Sequence, residues 1–247
     1  MLYIITLESK LQIWSFQLHF KNNVEITYSD IFDFYVYTEP EISGELVRKR
    51  IVELVKKGIL LKKGKGIYAL GNQINYIPVF EPSLIRMYKK LIAKFPYAKL
   101  CIWNTRQLNE FMLHQPGRFY TIVETEKDVS EFAFNFLNDF NKNVFQANDK
   151  SMIEKYAIQN TNSIIIKDLT SESPVHTISK IQTPTLEKIL VDIFCDKDLF
   201  VAQQGSELNT IYQTAFDKYS INKSKLLRYA KRRGKNEIAE FISSLNL

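Results

Sequence analysis

Residues 59–70 read ILLKKGKGIYAL, two short β-prone runs joined by Gly64, Lys65 and Gly66. Glycines at that spacing let the backbone reverse, so the segment predicts a β-hairpin. Three helical segments precede it. In ESKLQIWSFQLHF (8–20), Leu11, Trp14 and Leu18 recur at helical spacing, and Tyr28 to Tyr35 brings Ile31, Phe34 and Tyr35 to one side. Pro40 breaks the chain, Ser43 is placed to cap a third helix running to about Lys57, and Gly58 ends it. Three helices followed by a two-stranded hairpin is the order of a winged helix-turn-helix, expected over residues 1–72. LGNQINYIP then reads as a linker with a strand-like end.

Beyond it helices and strands alternate. Pro82 opens an amphipathic helix to Phe95, KLCIW is a buried strand, and Thr105 is placed to cap a short helix to Leu113. The turn QPGR leads into the strand FYTIVE. Thr125 and Asp128 resemble a loose capping box before a helix whose buried side is read as Val129, Phe132, Phe136 and Phe140. SIIIK (163–167) is a further strand, TSESPVH a polar loop, and Thr183-Pro184 a helix start. That helix puts Leu186, Ile189, Leu190, Ile193 and Phe194 on a wide apolar face, and more helices follow, punctuated by Gly234. The expected fold class is therefore α+β: an N-terminal winged helix-turn-helix domain over 1–72, then a mixed-sheet α/β domain with flanking helices over 73–247. At 45% apolar residues, with 17 Phe and 13 Tyr, the chain has the material for such cores.

Charge is concentrated. Residues 47–71 hold eight Lys or Arg against one acid, Glu53, a net +7 where the whole chain carries +6. Projected on a helix, Val47, Ile51, Leu54 and Val55 face inward. Lys49 and Lys56 point away from them with Glu45 and Val52 alongside, and Arg48 and Arg50 sit on the flanks. Lys62, Lys63 and Lys65 surround the hairpin tip. A lysine-rich helix face can be merely solvated. Here helix order, Gly58, the GKG turn and the charge agree, which favours a helix that reads base edges while its rim and wing meet phosphates. A second run, KSKLLRYAKRRGK (223–235), has seven basic residues and no acid. With Leu226, Leu227 and Ala230 inward, it leaves Lys223, Arg228, Lys231, Arg232 and Arg233 for solvent or a partner, nucleic acid or protein.

No catalytic signature emerges. There is no Walker A sequence, no dinucleotide-binding loop and no GxSxG elbow, and eight glycines leave little material for any of them. A restriction-type nuclease needs a carboxylate and a strand bearing Asp/Glu-x-Lys for Mg²⁺ and the attacking water. FYTIVETEKD offers Glu124, Glu126 and Lys127 at the wrong spacing, and the Asp/Glu-x-Lys present is Glu8-Ser9-Lys10. Glu187 and Asp192, five apart on a helix, point to different sides. His19, His114 and His176 lack zinc-ligand spacing. Cys101 and Cys195 read as reduced thiols of a cytoplasmic protein. No apolar run reaches the ~20 residues of a membrane span, and the start lacks a signal-peptide pattern. The expectation is no enzyme, no cofactor, no metal and no membrane partner.

Taken together, VKKGILLKKGKGIYAL, GRFYTIVETEKDVSEFAFNFL, TPTLEKILVDIF and NKSKLLRYAKRRGKNEIAEFI resemble, in that order, the AbiEi-family antitoxins of type IV abortive-infection toxin–antitoxin systems. The resemblance implies a winged helix that binds inverted repeats in its own promoter and represses it. It also implies a C-terminal domain that counteracts a nucleotidyltransferase-like toxin, with no stable complex required. Carried over by position, DNA contacts would then fall on Ser43, Arg48, Lys49, Arg50, Lys63 and Lys65, to which the charge pattern itself adds Glu45, Lys56 and Lys62. The antitoxin surface would involve the 183–196 and 223–235 helices. Residues 28–40 depart from the pattern in being strongly aromatic, so the first helix-turn is less typical than the hairpin.

Overall fold

A computed structural model describes residues 11–71, 76–153, 155 and 160–247, without the side chains of Trp14, Lys63 and Lys150. The chain is a mixture of helices and several small sheets, α+β in class. It divides into two units: Met1–Asn75 with Lys218–Ser220, and Tyr76–Asp217 with Ile221–Leu247.

In the first unit the order is α1 (Ile13–His19), β1 (Ile26–Thr27), α2 (Tyr28–Thr38), α3 (Gly44–Lys56), β2 (Leu60–Gly64) and β3 (Ile67–Leu70). Local chemistry sets the helix ends. Thr27 and Asp30 form a capping box at α2, the Asp30 carboxylate accepting from the Thr27 amide at 2.7 Å. Ser43 Oγ caps α3 by accepting from the Leu46 amide at 3.2 Å. At the other end Gly58 takes φ 70°, its amide reaching Val55 O while the Ile59 amide reaches Leu54 O. This is a Schellman stop that a Cβ would strain. Gly66, also at positive φ, turns β2 into β3, and β1 adds to β3, giving an antiparallel sheet of order β1-β3-β2. The core joins Phe16, Phe20, Ile31, Tyr35, Val47 and Leu54. Helix α1 faces inward through Phe16 and Phe20 rather than Leu18, which is exposed. The aromatic 28–40 segment supplies core: Phe34 and Tyr35 are buried, and only Tyr37 is well exposed among its aromatics. Residues 8–10 of the first expected helix lie outside the described residues, as do 72–75 of the linker; residues 76–80 form no strand.

The second unit holds α4 (Pro82–Lys94), β4 (Leu100–Asn104), β5 (Tyr120–Thr125), α5 (Lys127–Asn138), β6 (Val144–Gln146), β7 (Ser163–Asp168), β8 (Val175–Ile178), β9 (Ile181–Pro184), α6 (Leu186–Cys195), α7 (Ser206–Lys218), α8 (Lys223–Arg232) and α9 (Ile238–Ser244). The main sheet runs β4-β5-β7-β6, with β4 antiparallel to β5 and the other three parallel. Side chains alternate across it. Leu100, Ile102, Val123, Ile164 and Ile166 join Leu84 and Leu91 of α4 and Ala133 and Leu137 of α5 in one cluster. Trp103, Glu124 and Lys167 occupy the opposite face, over which Phe200 stacks on Trp103 at 5.9 Å.

Four expectations need correcting here. The helix after β5 docks through Ala133 and Leu137, because the small alanine lets it approach the sheet, so Phe132 and Phe140 are exposed. Its N-cap is Glu126 without a side-chain bond, and Thr125 stays within β5. The 3₁₀ helix Thr105–Phe111 is capped by Asn104, whose Oδ1 accepts from the Arg106 amide at 2.9 Å, not by Thr105. Finally, Thr183 and Pro184 end strand β9, and α6 begins only at Leu186. Segment 175–184 is a hairpin whose two turn residues, Ser179 and Lys180, both have positive φ. Among the described residues no helix is long and apolar enough to cross a membrane.

Candidate nucleic-acid interface

Helix α3 is amphipathic, and its buried side is Val47, Arg50, Ile51 and Leu54. Arg50 was expected on an exposed flank. It is instead 7% exposed, bonded through both terminal nitrogens to Glu39 at 2.8 and 2.7 Å, with its guanidinium 4.7 Å from the Tyr35 ring centre. Such a bidentate, stacked arginine fixes α3 against α2 and is not offered to a ligand. The outward face carries Glu45, Arg48, Lys49, Val52 and Lys56, all exposed. Lys49 pairs with Glu45 at 2.7 Å one turn back, Lys56 pairs with Glu53 at 2.8 Å, and Arg48 lies 5.6 Å from the Tyr28 ring centre. The Glu45 carboxyl is held below its usual range by the hydrogen bond from Lys49 and by that cation's charge. These pairs are solvent-facing and weak, so a phosphate can displace them at little cost. Ser43 is exposed, but its hydroxyl is engaged in the cap. Lys62 and Lys65 are exposed on the hairpin, and the Lys63 side chain lies outside the described ones.

The second basic run is divided by the fold. On α8, Leu226, Tyr229 and Ala230 are the buried residues, while Leu227 is 37% exposed, since Tyr229 takes the inward place expected for it. Lys223, Arg228, Lys231 and Arg232 are exposed, Arg232 bonding Ser171 at 2.9 Å and Glu172 at 3.3 Å. Arg233 is not a surface residue. It reaches inward to Asp192 and, at 2.7 Å, to Asp196.

Arg233 belongs to a buried ionic network that the sequence did not announce. Lys188 on α6, fully buried, lies 2.6 Å from Glu124 of β5 and bonds Asp192 one turn ahead. Lys167 of β7, the register partner of Glu124, bonds Asp196 and lies 3.8 Å from Asp192. Tyr229 OH donates to Asp192 at 2.9 Å. Burial works against charge at Asp192, yet Lys167, Lys188 and Arg233 hold its carboxyl far below the usual range. Burial likewise opposes the Lys188 charge, and the Asp192 and Glu124 carboxylates outweigh it. Three carboxylates thus face three cations. Glu187, expected on another side from Asp192, is also buried; it accepts from the Asn222 amide at 3.1 Å and from Lys225 at 3.2 Å, seating the start of α8.

A model of the DUF6577 family, described as a family of unknown function, matches residues 46–247. The chain belongs to that family. No curated protein matches it. The DUF6577 span takes in most of α3, the β2–β3 hairpin and the whole second unit, and leaves out α1 and α2.

Within this DUF6577 chain the nuclease candidates are occupied differently from a metal centre. Glu124 is bound to Lys188, Glu126 accepts from the Lys99 amide at 3.3 Å, and Lys127 is exposed. Among the described residues no group of three or more His, Cys, Asp or Glu is arranged to hold a metal ion. Both cysteines are free thiols; Cys101 is buried, and burial pushes the Cys195 thiol up to about 11. Lys167 and Asp196 also line a cavity of about 360 Å³ with Lys197, Asp198 and Lys235, next to Ala147, which follows β6.

Proposed function

We propose that the chain is a DNA-binding transcriptional autorepressor and antitoxin of a bacterial type IV, abortive-infection toxin–antitoxin system. In this reading the first unit is a winged helix-turn-helix domain acting in the cytoplasm. Helix α3 enters the major groove of its own promoter, a duplex with inverted repeats, and the β2–β3 hairpin lies along the backbone. One observation carries the reading: the outward face of α3 and the adjoining hairpin expose Arg48, Lys49, Lys56, Lys62 and Lys65, while every inward position of α3 is committed to the core. Val52, 52% exposed between Lys49 and Lys56, suits contact with a thymine methyl. Arg50 is left out of the contact set.

The antitoxin half rests on the resemblance of the second unit, whose α6 and α8 would counter a nucleotidyltransferase-like toxin without chemistry of their own. The neutral, mutually satisfied network beneath α6 supports a scaffold in that unit rather than a catalyst.

Fluorescence anisotropy with the gene's upstream duplex and a scrambled duplex tests the DNA half, comparing the native chain with Lys49→Glu/Lys65→Glu. Preference for the native duplex, at least tenfold weakening in the variant and a salt slope reduced by about 1.8 are expected. Equal binding to both duplexes, or an unaffected variant, would remove the repressor reading. Co-expression with the neighbouring gene product tests the other half, since an antitoxin restores growth. A regulator that senses a small ligand is the second reading, favoured by the cavity beyond the β6 and β7 strand ends, where parallel sheets bind ligands. Such a regulator would bind the duplex and fail to restore growth.

A further inference from the structure

Phe132 and Phe136 on α5, and Phe140 just past its end, recur four residues apart and so share one stripe. Because α5 docks through Ala133 and Leu137, the two ends of this stripe are turned toward solvent, with Phe132 66% and Phe140 61% exposed, while Phe136 between them is half-buried against Phe95. Large exposed aromatics in a row mark a binding surface more often than an accident of packing.

Helix α4 lies against the same stripe and is basic. Residues 82–109 carry six Lys or Arg and no acid. Lys99 and Arg106 are paired, with Glu126 and Glu81. Arg86, Lys89, Lys90 and Lys94 are exposed and have no acidic partner among the described residues. Their spacing puts all four on one side of α4. Lys90 Nζ stands 4.4 Å from the Phe140 ring centre and Lys94 Nζ 6.0 Å from that of Phe136, and these two rings meet edge to face at 5.2 Å. Of the exposed acids on α5, Asp128 sits four residues before Phe132, at the N-terminal end of the stripe, whereas Glu131 points about 100° away from it.

Free cations interleaved with exposed rings fit a polyanion whose planar groups are accessible. A duplex buries its base faces in the stack, whereas unpaired bases are offered chiefly by RNA loops and ends. We infer that this face of the second unit binds single-stranded RNA, with phosphates on Arg86, Lys89, Lys90 and Lys94 and bases stacked on Phe132 and Phe140. The inference does not rest on the duplex-binding reading of the first unit.

The test uses the full chain and a labelled oligouridylate of about 12 nucleotides, beside the matching oligothymidylate and a duplex of the same length. Phe132→Ala/Phe140→Ala should weaken RNA binding roughly tenfold with the salt slope unchanged. Lys90→Glu/Lys94→Glu should weaken it and lower the slope by about 1.4, the signature of two lost phosphate contacts on a single strand. Lys49→Glu should leave it intact, which separates failure here from failure of the promoter reading. All four altered side chains in the second unit are exposed, so melting temperatures should hold. Any of four results overturns the inference: no RNA binding by the native chain, binding of oligothymidylate or duplex as tight as RNA, variants that bind RNA like the native chain, or phenylalanine variants that dissociate a dimer. The last would assign the stripe to a second copy of this chain.

Discussion

Arg50 and Lys49 are neighbours in sequence with opposite fates. Among the described residues Lys49 reaches only Glu45, in water on both sides, with side chains 70% and 76% exposed. Arg50 is clamped between Glu39 and the Tyr35 ring, its own side chain 8% exposed. Removing a partner from a fully buried ion pair costs ~3–5 kcal/mol, because the remaining charge is stranded. Glu39 keeps 38% of its side chain exposed, so solvent recovers part of that. Arg50→Met is therefore expected to lose about 2 kcal/mol of stability in denaturant unfolding. Lys49→Ala should leave the unfolding midpoint where it is and act on duplex binding alone. A neutral Arg50→Met would mean that the Glu39 clamp does not hold α2 and α3 together. The helical projection could not foresee this division, since it places Arg50 on a flank and cannot see an acid eleven residues upstream.

At the scale of elements, what the sequence made legible is what local chemistry decides. Ser43, Gly58 and Gly66 each force a start, a stop or a turn through their own hydrogen bonds or φ, and the Thr27–Asp30 capping box, unread in the sequence, does the same for α2. Where tertiary packing decides, the pattern misled. The phenylalanine stripe outscores Ala133 and Leu137 in hydrophobicity, yet the sheet accepts the flatter face. Likewise Pro184 ends a strand because β9 is at the edge of a two-stranded ribbon, where a missing N–H is tolerated. Strand β6 went unread because three residues carry no periodicity. The join between α3 and the hairpin yields a prediction of the same kind. The Gly71 amide donates to Ile59 O at 2.8 Å, and a Cβ at Gly71 would stand 1.8 Å from the Gly58 carbonyl oxygen. Backbone must move to admit it, so Gly71→Ala should destabilise by roughly 1–3 kcal/mol, as overpacking does. Gly117→Ala meets nothing within 4 Å and should stay within about 0.5 kcal/mol. Thermal melts of the two variants decide it; equal melting temperatures would show that the hairpin pivots freely on the end of α3.

For the whole molecule, net charge hides a segregation. The basic face of the first unit is solvated and available, whereas the second unit spends Lys167, Lys188 and Arg233 internally against Glu124, Asp192 and Asp196. Residues 124, 167, 188, 192, 196 and 233 meet only once the sheet and α6 and α8 are assembled. The one local sign was Lys188 and Asp192 four apart inside an otherwise apolar helix. Because the Asp192 carboxyl is depressed when folded, its contribution is complete above the ordinary carboxylate pKa near 4 and drains away as pH falls below it. Trp103, buried on the same sheet face as Glu124, reports this unit once Trp14→Phe leaves it the sole tryptophan. Its emission should shift to longer wavelength in acid below that range. Lys188→Met strands Glu124 and leaves Asp192 to Lys167 and Arg233 alone, which should cost about 3–5 kcal/mol and move the acid transition to higher pH. An acid midpoint unchanged by Lys188→Met would mean that hydrophobic packing on the far side of the sheet, and not the ionic network, sets the stability of the second unit.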